Sequence, residues 1–116
     1  MIKIIDKWLL AFTLSLIVSA CSSQTDINAT AKPVTLPSDL QVIYQRSCQN
    51  CHEVEATGAP LTGDKAHWNR ILEQGMALTL EHAMSGYQNM PAFGQCFECS
   101  PEQIETLITY MSNPAK

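Results

Sequence analysis

The sequence predicts a small all-α domain, on three observations. Residues recur at helical spacing in three stretches: Leu40, Ile43, Tyr44 and Ser47; Trp68, Ile71 and Leu72; Ile104, Leu107, Ile108 and Met111. Helix-boundary signals flank these stripes. Ser100-Pro101-Glu102-Gln103 reads as a capping box with proline at the first helical position, and Gly75 and Gly86 read as stops. The apolar–polar alternation of a half-buried strand is absent.

Taken in order, the elements are three main helices and a shorter one. The first starts at Ser38, where Ser38-Asp39-Leu40-Gln41 after Pro37 fits another capping box. It runs into Cys48. Residues 53–62 contain Gly58 and Pro60 and read as a loop. The second helix spans 64–74, the short one 78–85, and the last starts at Pro101. A chain of 116 residues is expected to hold one small domain.

Between the first helix and the loop stands Cys48-Gln49-Asn50-Cys51-His52. C-x-x-C-H is the attachment signature of c-type haem. Two thiols one helical turn apart can add to the two vinyl groups on one side of a porphyrin. The histidine that follows then faces the iron and supplies an imidazole ligand. A zinc site is the competing reading, because Cys96-Phe97-Glu98-Cys99 supplies a second C-x-x-C. Zinc ribbons are built on short hairpins, and no hairpin pattern is found here.

A carrier haem takes a second protein ligand. Met76, Met84, Met90, Met111, His67 and His82 are the candidates. Met111 belongs to the last apolar stripe, and Met76 follows a helix stop, where it can fill a gap. His67 and His82 read as surface residues on helices. Met90 lies in Gly86-Tyr87-Gln88-Asn89-Met90-Pro91-Ala92-Phe93-Gly94, a turn-rich loop, and Pro91 restricts it to extended backbone. Met90 is therefore preferred, with His82 and Met84 as the alternatives.

The first residues are read as a removable segment. Lys3 and Lys7 precede an apolar run from Trp8 to Ala20. That run is shorter than the about 20 residues of a membrane span and suits a signal-peptide core. It ends in Val18-Ser19-Ala20-Cys21, which resembles the lipobox of bacterial lipoproteins; an ordinary secretory signal is the alternative. The expected organisation is a signal peptide over 1–20, a lipidated Cys21 with a flexible tether over 21–37, and the domain over 38–116. Ser22 after Cys21 favours the outer membrane. The formal net charge is −4, and no Lys/Arg cluster invites nucleic acid. An acidic surface favours basic partner patches.

Together the motifs resemble a class I c-type cytochrome, and closely resemble the small bacterial cytochrome c5 family. The matching residues are the Cys48–His52 motif, Gly58-Ala59-Pro60-Leu61, Asp64-Lys65 with Trp68, Met90-Pro91, and Cys96-Phe97-Glu98-Cys99-Ser100. The match extends from about Leu40 to Met111. The resemblance implies one covalent haem c, axial ligation by His52 and Met90, and a Cys96–Cys99 disulfide. It implies that the Pro60 carbonyl orients His52 and that Trp68 packs near the haem edge. A disulfide also agrees with an exported chain in which Cys21 goes to lipid and Cys48 and Cys51 to haem. A thioredoxin-like redox role for Cys96 and Cys99 would need a preceding strand, and none is found. The implied function is single-electron transfer between respiratory partners in the bacterial envelope, without enzymatic activity. The rivals are a haem-based gas or redox sensor and a peroxidase-like haem enzyme, each needing a labile sixth ligand.

Overall fold

The computed structural model describes residues 32–115. The apolar run, the lipobox-like sequence and Cys21 lie outside them. Five α-helical segments follow one another: α1 (Ser38–Arg46), α2 (Gln49–His52), α3 (Lys65–Leu72), α4 (Met76–Ser85) and α5 (Pro101–Ser112). Short 3-10 stretches cover Glu55–Thr57 and Ala92–Gln95. Among the described residues there is no strand, only isolated bridges pairing Val34 with Pro114 and Tyr87 with Met90.

The helix starts differ in how they are capped. At α5 the Ser100 hydroxyl accepts from the Gln103 N–H and the Gln103 side chain accepts from the Ser100 N–H, so the expected capping box is complete. At α1 it is not. Pro37 occupies the cap, Ser38 is already helical, and no side chain caps the end. A serine inside the first turn has its hydroxyl past the orphan N–H groups it would have served. At α3 the Asp64 carboxylate accepts from the His67 N–H.

Three boundaries differ from the sequence reading. Helix α1 stops at Arg46 and does not run into Cys48; the chain turns at Ser47 and resumes as α2. Gly75, expected only to end the second helix, has φ 94° and caps the start of α4. That helix consequently opens at Met76, before the expected 78, and at 10 residues is longer than the 8 of α3. The tether was expected to reach Pro37, yet Leu36 is buried in the core. Val34 also donates to the Asn113 carbonyl at 2.9 Å and accepts from the Ala115 N–H at 2.9 Å. Residues 34–37 therefore belong to the domain, because burying Leu36 and pairing Val34 outweighs their chain freedom.

The core is shared by α1 and α5. Leu40 and Tyr44 from α1 are buried with Ile104, Leu107, Ile108 and Met111 from α5. Tyr44 and Tyr110 meet edge to face at 5.1 Å, the arrangement aromatic quadrupoles favour. Trp68 from α3 and Ala83 from α4 complete this layer.

Candidate functional site

A cavity of about 900 Å³ opens between these helices. It lies within the range of about 300–1,000 Å³ typical of bound organic molecules. Cys48, Cys51 and His52 line one part of it, Trp68 and Ile71 another, and Ile108 and Met111 a third. Met90, Pro91 and Gly94 line it from the loop after α4.

Helix α2 sets the motif. Its single turn is closed by the His52 N–H donating to the Cys48 carbonyl at 2.9 Å, which keeps Cys48, Cys51 and His52 on one short spiral. Both thiols are free, while Cys96 and Cys99 are joined in a disulfide. Burial pushes the Cys48 thiol up to about 11, so it stays neutral.

The loop at residues 60–62 orients the histidine. His52 Nδ1–H donates to the Pro60 carbonyl at 2.7 Å. Trp68 Nε1–H donates to the Leu61 carbonyl at 2.8 Å, and the Thr62 N–H donates to the His52 carbonyl at 2.7 Å. Tyr44 pins the far side: its hydroxyl donates to Glu53 at 2.6 Å and lies 2.7 Å from the Thr62 hydroxyl. The indole stacks near the imidazole, with centroids 5.9 Å apart and planes at 27°. Fixing Nδ1 as the donor leaves Nε2 with its lone pair for a metal. Burial lowers the His52 pKa, against the raising effect of the Pro60 hydrogen bond, and so favours the neutral form.

The methionine is held by a tight hairpin. Tyr87 and Met90 exchange backbone hydrogen bonds at 3.0 and 2.9 Å around Gln88, which has φ 53°. Gly86 makes this turn possible. Its φ is 86°, and a Cβ there would come within 3.1 Å of the Ala92 nitrogen and 3.2 Å of the Met90 carbonyl oxygen. Pro91 and the disulfide follow on the C-terminal side.

The sequence-derived residues Cys48, Cys51, His52, Pro60, Trp68 and Met90 all line this one cavity. Met76 and Met84 do not, whereas Met111 lines it while also belonging to the buried core. His67 and His82, read as surface residues, both reach the cavity wall. The His82 ring stacks on Tyr87 at 4.1 Å with an interplanar angle of 16°. His67 stands one turn from Ile71 and His82 one turn from Thr79, which also line the cavity, but helical spacing in the sequence does not say which side of a helix meets a cofactor.

The residues present fit a haem c. Two unpaired thiols precede a histidine with one free ring nitrogen, and a thioether lines the same cavity. Residues 35–111 match the family of c-type cytochrome domains described as cytochrome C oxidase, cbb3-type, subunit III. The cytochrome c-555 of Prosthecochloris aestuarii is 32% identical over 81 residues, covering 63% of this chain and 82% of that protein. The chain belongs to this family of class I c-type cytochromes. The cytochrome c5 of Ectopseudomonas mendocina is likewise similar, 35% identical over 72 residues, covering 60% of this chain and 83% of its own. The fold is similar to a chain in the crystal structure of the electron transfer complex of nitrite reductase with cytochrome c. There the TM-score is 0.58 at 27% identity, over 67% of this chain and 95% of that one. This cytochrome is an electron-transfer haem protein with one covalent haem c, and it is not an enzyme. No helix among the described residues is long and apolar enough to cross a membrane.

Proposed function

We propose that Cys48 and Cys51 carry the two thioethers, that His52 and Met90 are the axial ligands, and that the cytochrome shuttles single electrons at the periplasmic side of a bacterial envelope. One observation carries the ligand reading. The His52 ring, held at Nδ1 by Pro60, keeps Nε2 free beside the cavity that Met90 also lines. When bound, haem supplies a one-electron couple between Fe(III) and Fe(II). The chain's residues do the rest. Pro60 orients the imidazole, Trp68 and Ile71 keep water from it, and the soft sulfur of Met90 favours the reduced state and raises the potential. With His52 and Met90 both holding the group, the protein would leave no site there for a substrate.

The envelope location rests on the apolar run before Cys21 and on the Cys96–Cys99 disulfide, which suits an oxidising compartment. Lipid on Cys21 and a tether up to about residue 33 would hold the domain near a membrane, the outer membrane by the Ser22 signal. The neighbour's pairing with nitrite reductase makes a respiratory enzyme a reasonable class of partner here, met through a small contact.

Haem extraction tests the attachment. Acidified organic solvent should leave the haem of the wild-type protein with the chain, and Cys48→Ser should weaken the attachment. Haem recovered in the organic phase from the wild type would rule out two thioethers.

A further inference from the structure

Haem attachment leaves the loop closed by Cys96 and Cys99 without a full explanation. Both cysteines are buried, 1% and 6% exposed, yet Phe97 between them is 71% exposed, the highest among the large apolar side chains described. A disulfide across a sequence separation of 3 leaves that loop little freedom. The ring is thus held outward by a cross-linked turn. Phe93 lies beside it, with centroids 6.4 Å apart. Glu98 is ion-paired with Arg46 at the end of α1, two residues before Cys48. One turn earlier on the same face of α1, Val42 is also exposed. Phe97, with the half-buried Phe93 beside it, thus adjoins Glu98, and Val42 lies one turn from Arg46, so the ion pair links these side chains into one patch next to the segment that carries Cys48.

We propose that this patch, centred on Phe97, is the docking surface for a redox partner protein that presents an apolar socket rimmed by lysine or arginine. The proposal rests on the electron-carrier function and adds where the partner sits. Rigid aromatics held at the centre of a patch are the usual anchors of protein interfaces, because little freedom is lost on binding. The rim selects the occupant. Asp39 on α1, one turn before Val42, and Glu102 in the first turn of α5, the helix that follows the disulfide, are exposed carboxylates, while Arg46 is already engaged by Glu98. A second copy of the chain would bring the same acidic rim against itself, and an anionic membrane would be repelled for the same reason. A basic rim is the complement.

The test is electron exchange between the holoprotein and the envelope fraction of the source bacterium, membranes plus periplasm. It is followed by stopped flow as oxidation of the ferrous or reduction of the ferric form. Hexacyanoferrate(III) serves as a small oxidant that needs no docking. Phe97→Ala should slow exchange with the envelope fraction about tenfold, and Phe97→Tyr should retain the wild-type rate. Added salt should slow the wild type, as attraction between unlike rims is screened. Spectrum and oxidation by hexacyanoferrate(III) should be unchanged in both variants. An exchange rate for Phe97→Ala within about twofold of wild type overturns the proposal, as does a wild type that exchanges no electrons with the fraction. So does a wild-type dimer that Phe97→Ala dissolves, which gives the patch to a second copy. Phe97-dependent binding to phosphatidylcholine–phosphatidylglycerol vesicles gives it to lipid instead. Failure of the wild type to reduce hexacyanoferrate(III) would count against the carrier function itself, separately from docking.

Discussion

At the residue scale the chemistry concentrates in His52. Its burial makes acid an antagonist of the fold. The ring's pKa is lowered below the ordinary 6.5, so the unfolded chain takes up a proton first. The contribution of a neutral His52 is fully present above pH 6.5 and is lost as pH falls through the depressed folded value. Binding iron through Nε2 acts with the same sign, since the proton competes with the metal. Denaturant titrations of the holoprotein should show stability falling as pH is lowered below 6.5. A stability that rises on acidification would contradict a buried, neutral His52. Cys48, Cys51 and His52 stand out in the sequence because the C-x-x-C-H spacing carries its own chemistry, and Met90 because it lies in a turn-rich loop before Pro91, whereas Pro60 and Trp68 are pointed to only by the resemblance to class I cytochromes. His67 and His82 were not legible, because the side of a helix that meets a cavity depends on how α3 and α4 pack. Helical spacing alone offers two faces to choose from.

At the element scale the hairpin 86–90 and the disulfide loop work as one unit. Gly86 turns the chain, Tyr87 and Met90 pair across it, and the Cys96–Cys99 link joins the segment to the start of α5. Replacing both cysteines by alanine closes no loop in the unfolded chain. It should lower stability by about 2 kcal/mol on the chain-entropy scale for a four-residue loop, measurable by denaturant midpoint. An unchanged midpoint would show that the link does nothing for the fold. The capping box at Ser100 was readable because both partners sit within one turn of sequence. The false one at Ser38 had the same letters. There the proline before it took the cap, and its ψ of 154° is the non-helical boundary. The start of α4 was misplaced for a related reason: Gly75 at φ 94° ends one turn and begins another, and a glycine in sequence does not say which. Val34 and Leu36 stand at the end of a long polar stretch, so only the packing of Leu36 and the pairing with Asn113 and Ala115 reveals that residues 34–37 are part of the domain.

At the scale of the whole molecule, an acidic chain carries one covalent haem and meets partners at its surface. If Cys21 bears lipid, several acyl chains at about 0.8 kcal/mol per buried CH₂ anchor the protein effectively for good. Cys21→Ser should then move the cytochrome from the membrane fraction to the soluble periplasm. A wild type already soluble, or an unmodified Cys21 by mass spectrometry, would end the anchoring proposal. With haem bound, His52 and Met90 would hold the iron between them, so that only electrons pass. The most direct measurement is a carbon monoxide titration of the ferrous holoprotein, followed in the visible spectrum, for wild type and Met90→Ala. We expect a low-spin wild type that binds carbon monoxide poorly and a Met90→Ala variant that binds it readily at a lowered reduction potential. Ready binding by the wild type, or a Met90→Ala variant with an unchanged spectrum and potential, would contradict Met90 as the sixth ligand.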